Sequence, residues 1–158
     1  HTLYGGVEAQ VQMSIALDPV DDVLRTCERV AREAYQAGVA AVRPGATFAA
    51  VVRAMEEPLQ RTGCWGKTPL VHTMSFGATG FTALNREQLA GTREAAIENQ
   101  VTVGIRRGDL ILREGMVLEL EPNACIGMQR VNLGAGVLVT STGCEELNAL
   151  ATRVHHRG

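Results

Sequence analysis

The sequence has no run of apolar residues approaching the roughly 20 needed to cross a bilayer, which excludes a helical membrane-spanning protein. It also lacks any block of like charges. Its 15 basic and 17 acidic residues give a formal net charge of -2, and nothing electrostatic points to nucleic acid. Cys27, Cys64, Cys125 and Cys144 form no CxxC pair and have no His at zinc-ligand spacing beside them, so they read as small core residues. No charged leader with an apolar stretch and a small-residue cleavage site opens the chain. A cytoplasmic location with reduced thiols is the expectation. An initiating Met is missing too, and His1 starts a segment that already reads as strand; the chain is expected to begin inside a domain, with further sequence upstream.

What is present suits one ordinary domain. At 158 residues the chain is long enough to bury roughly 70% of its unfolded surface, and 46% hydrophobic with 20% charged residues is a globular composition. Between Leu3 and Leu17, Val7, Ala9, Val11, Met13, Ile15 and Leu17 alternate with other residues, the period of a strand with one apolar face, and Gly5-Gly6 supplies a bend. Asp18-Pro19 reads as a helix start. From Val20 to Ala41 apolar residues recur at helical spacing, opposite Arg25, Glu28, Arg32 and Gln36. Arg43-Pro44-Gly45 breaks this helix. Thr47 caps a second one, with Phe48, Val51, Val52, Met55 and Leu59 on its apolar face and its end near Gly63.

Cys64 to Gly80, rich in Gly, Thr and Ser, reads as a strand interrupted by an irregular loop, where sites often lie. Residues 83–99 fit a loop or a short helix equally. Val101 to Ile105 reads as a strand and Arg106-Arg107-Gly108-Asp109 as a turn. Met116 to Leu120, Ala124 to Leu133 and Gly136 to Ser141 read as three strands, separated by Pro122-Asn123 and Gly134-Ala135, with a turn at Thr142-Gly143. Strands, then two helices, then strands argue for an α+β fold with helices on one face of an antiparallel sheet.

Three blocks in order carry a more specific signal: Arg43-Pro-Gly-Ala-Thr47 after a long helix, Leu112-Arg-Glu-Gly-Met-Val-Leu-Glu-Leu-Glu-Pro-Asn123, and Val137-Leu-Val-Thr-Ser-Thr-Gly-Cys-Glu-Glu-Leu-Asn148. Together they resemble the pita-bread-fold superfamily of methionine and proline-specific aminopeptidases, prolidases and creatinases. The resemblance implies a pita-bread α+β fold, with residues 1–158 as the C-terminal portion of the catalytic-type domain. In metal-dependent members two Asp, one His and two Glu hold two divalent ions. Several carboxylates neutralise the paired cations and leave a bridging water acidic enough to attack an amide.

Carried over position by position, the resemblance puts the earlier Asp before residue 1 and the later Asp on Gln10. In the loop Val71 to Ala78, His72 matches the outer His and Phe76 the ligand in one register; in another, the ligand or catalytic His falls on Met74. The first Glu is kept as Glu121, and the second falls on Gly134. A two-ion centre is therefore not expected, and no cofactor is predicted.

Taken alone, Glu121 reads as an ordinary strand-end carboxylate; the resemblance makes it the first candidate site residue. Glu119, two positions earlier, shares its strand face. Two neighbouring carboxylates push one pKa upward, which suits acid/base work, although two solvated Glu on a surface strand fit the pattern as well. His72 offers an imidazole near neutral pH. His155 and His156 read as structural. Trp65, Met74, Phe76, Phe81 and Met128 are candidates for an apolar pocket, with Met74 and Phe76 as substrate contacts, or for plain core.

Two functions follow. One is a metal-independent hydrolase acting on a C–N or peptide bond of a small molecule or short peptide, with His72, Glu121 and Glu119 as its catalytic groups. The other is an inactive pseudo-peptidase that binds a peptide, a metabolite or a protein partner. The resemblance also implies a homodimer.

Overall fold

A computed structural model describes residues 2–4, 7–66, 69–74, 77–80 and 104–158. The Gly5-Gly6 bend, Phe76, Phe81, the segment 83–99 and residues 101–103 of the strand expected over Val101 to Ile105 lie outside them.

Four short strands come first: β1 (Thr2–Tyr4), β2 (Val7–Ala9), β3 (Val11–Gln12) and β4 (Ile15–Leu17). The single long strand expected here is thus broken, and its burial is inverted. Val11, Met13, Ile15 and Leu17 are 46%, 54%, 60% and 75% exposed. The polar alternates turn inward instead, because they find partners there: Gln12 reaches Glu121, and the Ser14 hydroxyl donates to the Asn132 carbonyl at 2.7 Å.

Helix α1 (Asp22–Ala41) is capped by Asp21, whose carboxylate accepts from the Leu24 N–H at 2.8 Å. The cap is therefore not Asp18, three residues earlier. Asp18 is held outside the helix, its N–H donating to the Arg157 carbonyl at 3.0 Å. Helix α2 (Phe48–Arg61) starts at the expected cap, Thr47. The buried face of α1 includes Val30, Ala34 and Gly38, and that of α2 includes Phe48, Val52 and Met55; together they form much of the core. Gly38 lets the helices close up, since a β-carbon there would lie 2.7 Å from Met55 Sδ.

The remaining strands are β5 (Val71–Thr73), β6 (Thr79–Gly80), β7 (Ile105–Arg106), β8 (Val117–Leu120), β9 (Asn123–Ile126), β10 (Gln129–Asn132), β11 (Gly134–Val139), β12 (Cys144–Glu146) and β13 (His155–Arg157). The main sheet runs β12-β11-β8-β5-β6-β7, with β3 also paired to β11, and every pairing in it is antiparallel. Only β13 with β4, in a separate ribbon, pairs parallel among the described strands. The chain is thus α+β, two helices on a mainly antiparallel sheet.

Two strand expectations need correcting. Ala124 to Leu133 is a hairpin, β9 and β10, folded at Gly127, whose φ of 57° admits the tight turn. Gly134-Ala135 is no break but the start of β11, where Gly134 pairs with Gln12. The turn at Arg106 to Asp109 is present. Cys27, Cys64 and Cys125 are buried and Cys144 half-buried, all as free thiols. Among the described residues no helix is long and apolar enough to cross a membrane.

Candidate active site

One face of the sheet is covered by the helices and is apolar: Leu120, Ala135 and Val137 belong to the core cluster with α1 and α2. The other face carries the polar side chains. Register places Gly136 of β11, Glu119 of β8, His72 of β5 and Thr79 of β6 in one row across adjacent strands. Alternation brings Glu121, just past β8, onto the same face. Its N–H donates to the Leu70 carbonyl at 2.8 Å, so the extended pairing continues to the residue before Pro122.

His72 Nε2 lies 2.5 Å from Glu121 Oε1, and His72 Nδ1 lies 3.0 Å from the Thr73 carbonyl. A carbonyl only accepts, so Nδ1 carries a proton. One further proton is then shared between Nε2 and Glu121. Burial works to lower the His72 pKa, but the Glu121 and Thr73 hydrogen bonds and the charges of Glu121 and Glu119 outweigh it, and the net shift is upward. The other Glu121 oxygen, Oε2, accepts from the Gln12 side-chain amide. Both oxygens of Glu121 therefore have N–H partners, and its side chain is almost wholly buried.

Glu119 is in a different position. It is 0% exposed, and neither carboxylate oxygen has a hydrogen-bond partner. Burial, and then the charge of Glu121, push its pKa up to about 8. Beside it lies a cavity of about 240 Å³ whose lining includes Met74, Val117, Gly136 and Leu147. The alternative of two solvated surface carboxylates is overturned: both Glu side chains are buried.

The structure thus brings His72, Glu119 and Glu121 together and sets Met74 at the cavity. Trp65 is buried away from that lining and Met128 is 72% exposed, so neither belongs to the pocket expected of them. Gln10, which also lines the cavity, follows β2, and Gly134 lies beneath Gln12: a β-carbon at 134 would come 3.2 Å from Gln12 Cβ. Sequence reasoning missed Gln12 itself. The signal available was its place two residues after Gln10, on the same strand face.

Two divalent ions would need acidic ligands at Gln10 and Gly134, and Glu121 oxygens not already committed to N–H donors. Among the described residues, no three His, Cys, Asp or Glu side chains are gathered as a metal ion requires. These donors do not fit a two-ion centre.

Known structures share the fold. The chain superposes on a dipeptidase of Pyrococcus horikoshii OT3 with a TM-score of 0.69 at 18% identity, over 94% of this chain and 37% of that one. A prolidase of Pyrococcus furiosus gives 0.64 at 22% identity, over 92% and 38%. A dipeptidase of Mycobacterium ulcerans gives 0.62 at 22%, over 91% and 34%. The chain spans about a third of the length of these proteins. No curated protein sequence matches it significantly. A family model, however, matches residues 2–141. With that match over most of its length, and with two helices on a mainly antiparallel sheet, the chain belongs to metallopeptidase family M24, the pita-bread peptidases.

Proposed function

We propose that the chain carries the reacting groups of a hydrolase that cleaves a C–N or peptide bond in a small molecule or short peptide, working without a two-ion centre. The observation that carries this reading is the 2.5 Å contact between His72 Nε2 and Glu121 Oε1, next to Glu119, which lines a cavity. With Nδ1–H held by the Thr73 carbonyl, Nε2 points at Glu121 Oε1. When the position between Nε2 and Oε1 is empty, the pair takes a proton from the attacking water into it, so that imidazole and carboxylate act as one base. The same proton then passes to the leaving nitrogen, and the pair returns to its starting state. Proton transfer of this kind contributes roughly 10²–10⁴-fold to a rate.

Turnover of a panel of dipeptides and small amides tests the reading. Glu121→Gln and His72→Ala are each expected to abolish cleavage of any substrate found; unchanged rates in both would sink it. Metal analysis of protein purified without chelator is the second arm, and stoichiometric occupancy by two ions would overturn the metal-independent part.

A binding role without catalysis is the second reading. It is favoured by one feature: both nitrogens of His72 and both oxygens of Glu121 already have partners inside the protein.

A further inference from the structure

Glu119 is buried at a place where its neighbours leave it unsatisfied. A buried carboxylate is ordinarily paired or hydrogen-bonded, and one that is not calls for a partner the folded chain does not supply. Its cross-strand neighbours explain the lack. On one side stands His72, committed to Glu121 and Thr73. On the other stands Gly136, which has no side chain. A β-carbon at Gly136 would sit 3.5 Å from Glu119 Oε2 and 3.5 Å from Leu147 Cδ1, in ordinary contact with both, so its absence opens the carboxylate to the cavity.

The lining of that cavity restricts what fits. Glu119 contributes a carboxylate, and among the described residues that line it there is no Arg, Lys or His. Its walls are otherwise mainly apolar, with Val11, Met74, Val117 and Leu147. A free anion is disfavoured there, and a neutral apolar molecule would leave Glu119 as unsatisfied as before. A small organic cation satisfies both the walls and the floor.

We propose that the cavity beside Glu119 is a subsite for the protonated amino or amidino group of a small, otherwise apolar molecule, with Glu119 as its counter-ion. The inference deepens the hydrolase reading in one respect: a ligand seated there lies next to His72 on the neighbouring strand and to Glu121 two residues along from Glu119, so the substrate class becomes small amines and amidines. The binding step itself does not depend on that reading.

The probe is n-butylammonium chloride, with 1-butanol as the neutral control. Both are titrated into protein carrying ¹³C-methyl methionine, and the Met74 signal, assigned with Met74→Leu, reports occupancy. Butylammonium is expected to shift that signal saturably in the millimolar range and to bind at least about tenfold more tightly than butanol. Gly136→Ala, which adds a methyl group at ordinary contact distance, and Glu119→Gln are each expected to weaken butylammonium at least about tenfold. Gly136→Ala keeps the test decisive if Glu119→Gln does not fold.

Equal binding of butanol and butylammonium would reduce the site to a plain apolar cavity and overturn the proposal. Full binding by Glu119→Gln would do the same, as would failure of butylammonium to saturate. Displacement of butylammonium by Mg²⁺ at equal or lower concentration would replace it with a metal site. Saturable butylammonium binding in a protein that cleaves nothing would remove the hydrolase reading and leave this one standing.

Discussion

Gln12 lies across Gly134 and donates its side-chain amide to Glu121, so a neutral donor occupies the flank of Glu121 where the family resemblance puts a second acidic ligand. A Glu at 134 would meet Gln12 at its first side-chain carbon and add a third carboxylate beside Glu119 and Glu121. Gly134→Glu is expected to lower the melting temperature, and millimolar Mn²⁺ to restore part of the loss in this variant but not in the parent. Thermal melts with and without Mn²⁺ check it, and a loss indifferent to the ion would show that steric overlap with Gln12 is the whole effect.

The proton inventory of His72 is open to direct measurement. Nδ1–H is held by the Thr73 carbonyl, and the shared proton lies between Nε2 and Glu121. Nitrogen-15 spectra of the imidazole are expected to show Nδ1 protonated from pH 6 to 8, with a far-downfield proton that disappears in Glu121→Gln. A neutral ring protonated on Nε2 alone would contradict the geometry.

Two glycines at packed surfaces differ in what they tolerate. A β-carbon at Gly80 would overlap Val52 Cγ2 and lie 3.2 Å from its Cγ1, and Val has little rotamer freedom with which to withdraw. Gly80→Ala is expected to cost about 1–3 kcal/mol through overpacking. At Gly38 the neighbour is Met55, whose flexible chain adapts, and Ala gains up to about 1 kcal/mol of helix propensity over Gly. Urea denaturation is expected to rank Gly80→Ala well below Gly38→Ala in stability.

Asp21 predicts a pH dependence away from the site. The backbone N–H of Leu24 foremost, and the Gln129 side chain, hold its carboxyl below the usual 3.8 despite some opposing desolvation. A depressed carboxyl pKa stabilises the fold above the unfolded value, and that contribution is lost as pH falls through the folded one. Asp21→Ala is therefore expected to melt earlier than the parent at pH 6, and the gap to close progressively below pH 3.8. A gap that persists undiminished at pH 2 would mean the cap acts without its charge.

Local chemistry was legible in the sequence, and long-range pairing was not. Thr47 could be read as a cap because the residues that use it follow at once. Asp18-Pro19 reads as a helix start because Asp-Pro suits one, and nothing local reveals that Asp18 pairs with Arg157 instead. Gly134-Ala135 looked like a turn because small residues mark turns; here they let β3 come close from the far end of the chain. The site divided in the same way. Glu121, Glu119 and His72 were visible as residues, but their burial and the intervention of Gln12 depend on strands that meet only in the folded molecule.

The pairing of β3 with β11 has a kinetic side as well. Gln12 and Glu121 are separated by 109 positions along the chain, and His72 and Glu121 by 49. Closing loops of that length costs conformational entropy before any contact repays it, and folds dominated by such distant pairings are slow to form. The helix pair, adjacent in sequence, can assemble early. Gln12 reaches Glu121 only through the docking of β3, so the Gln12–Glu121–His72 chain of hydrogen bonds is incomplete in every partly folded form that lacks that pairing.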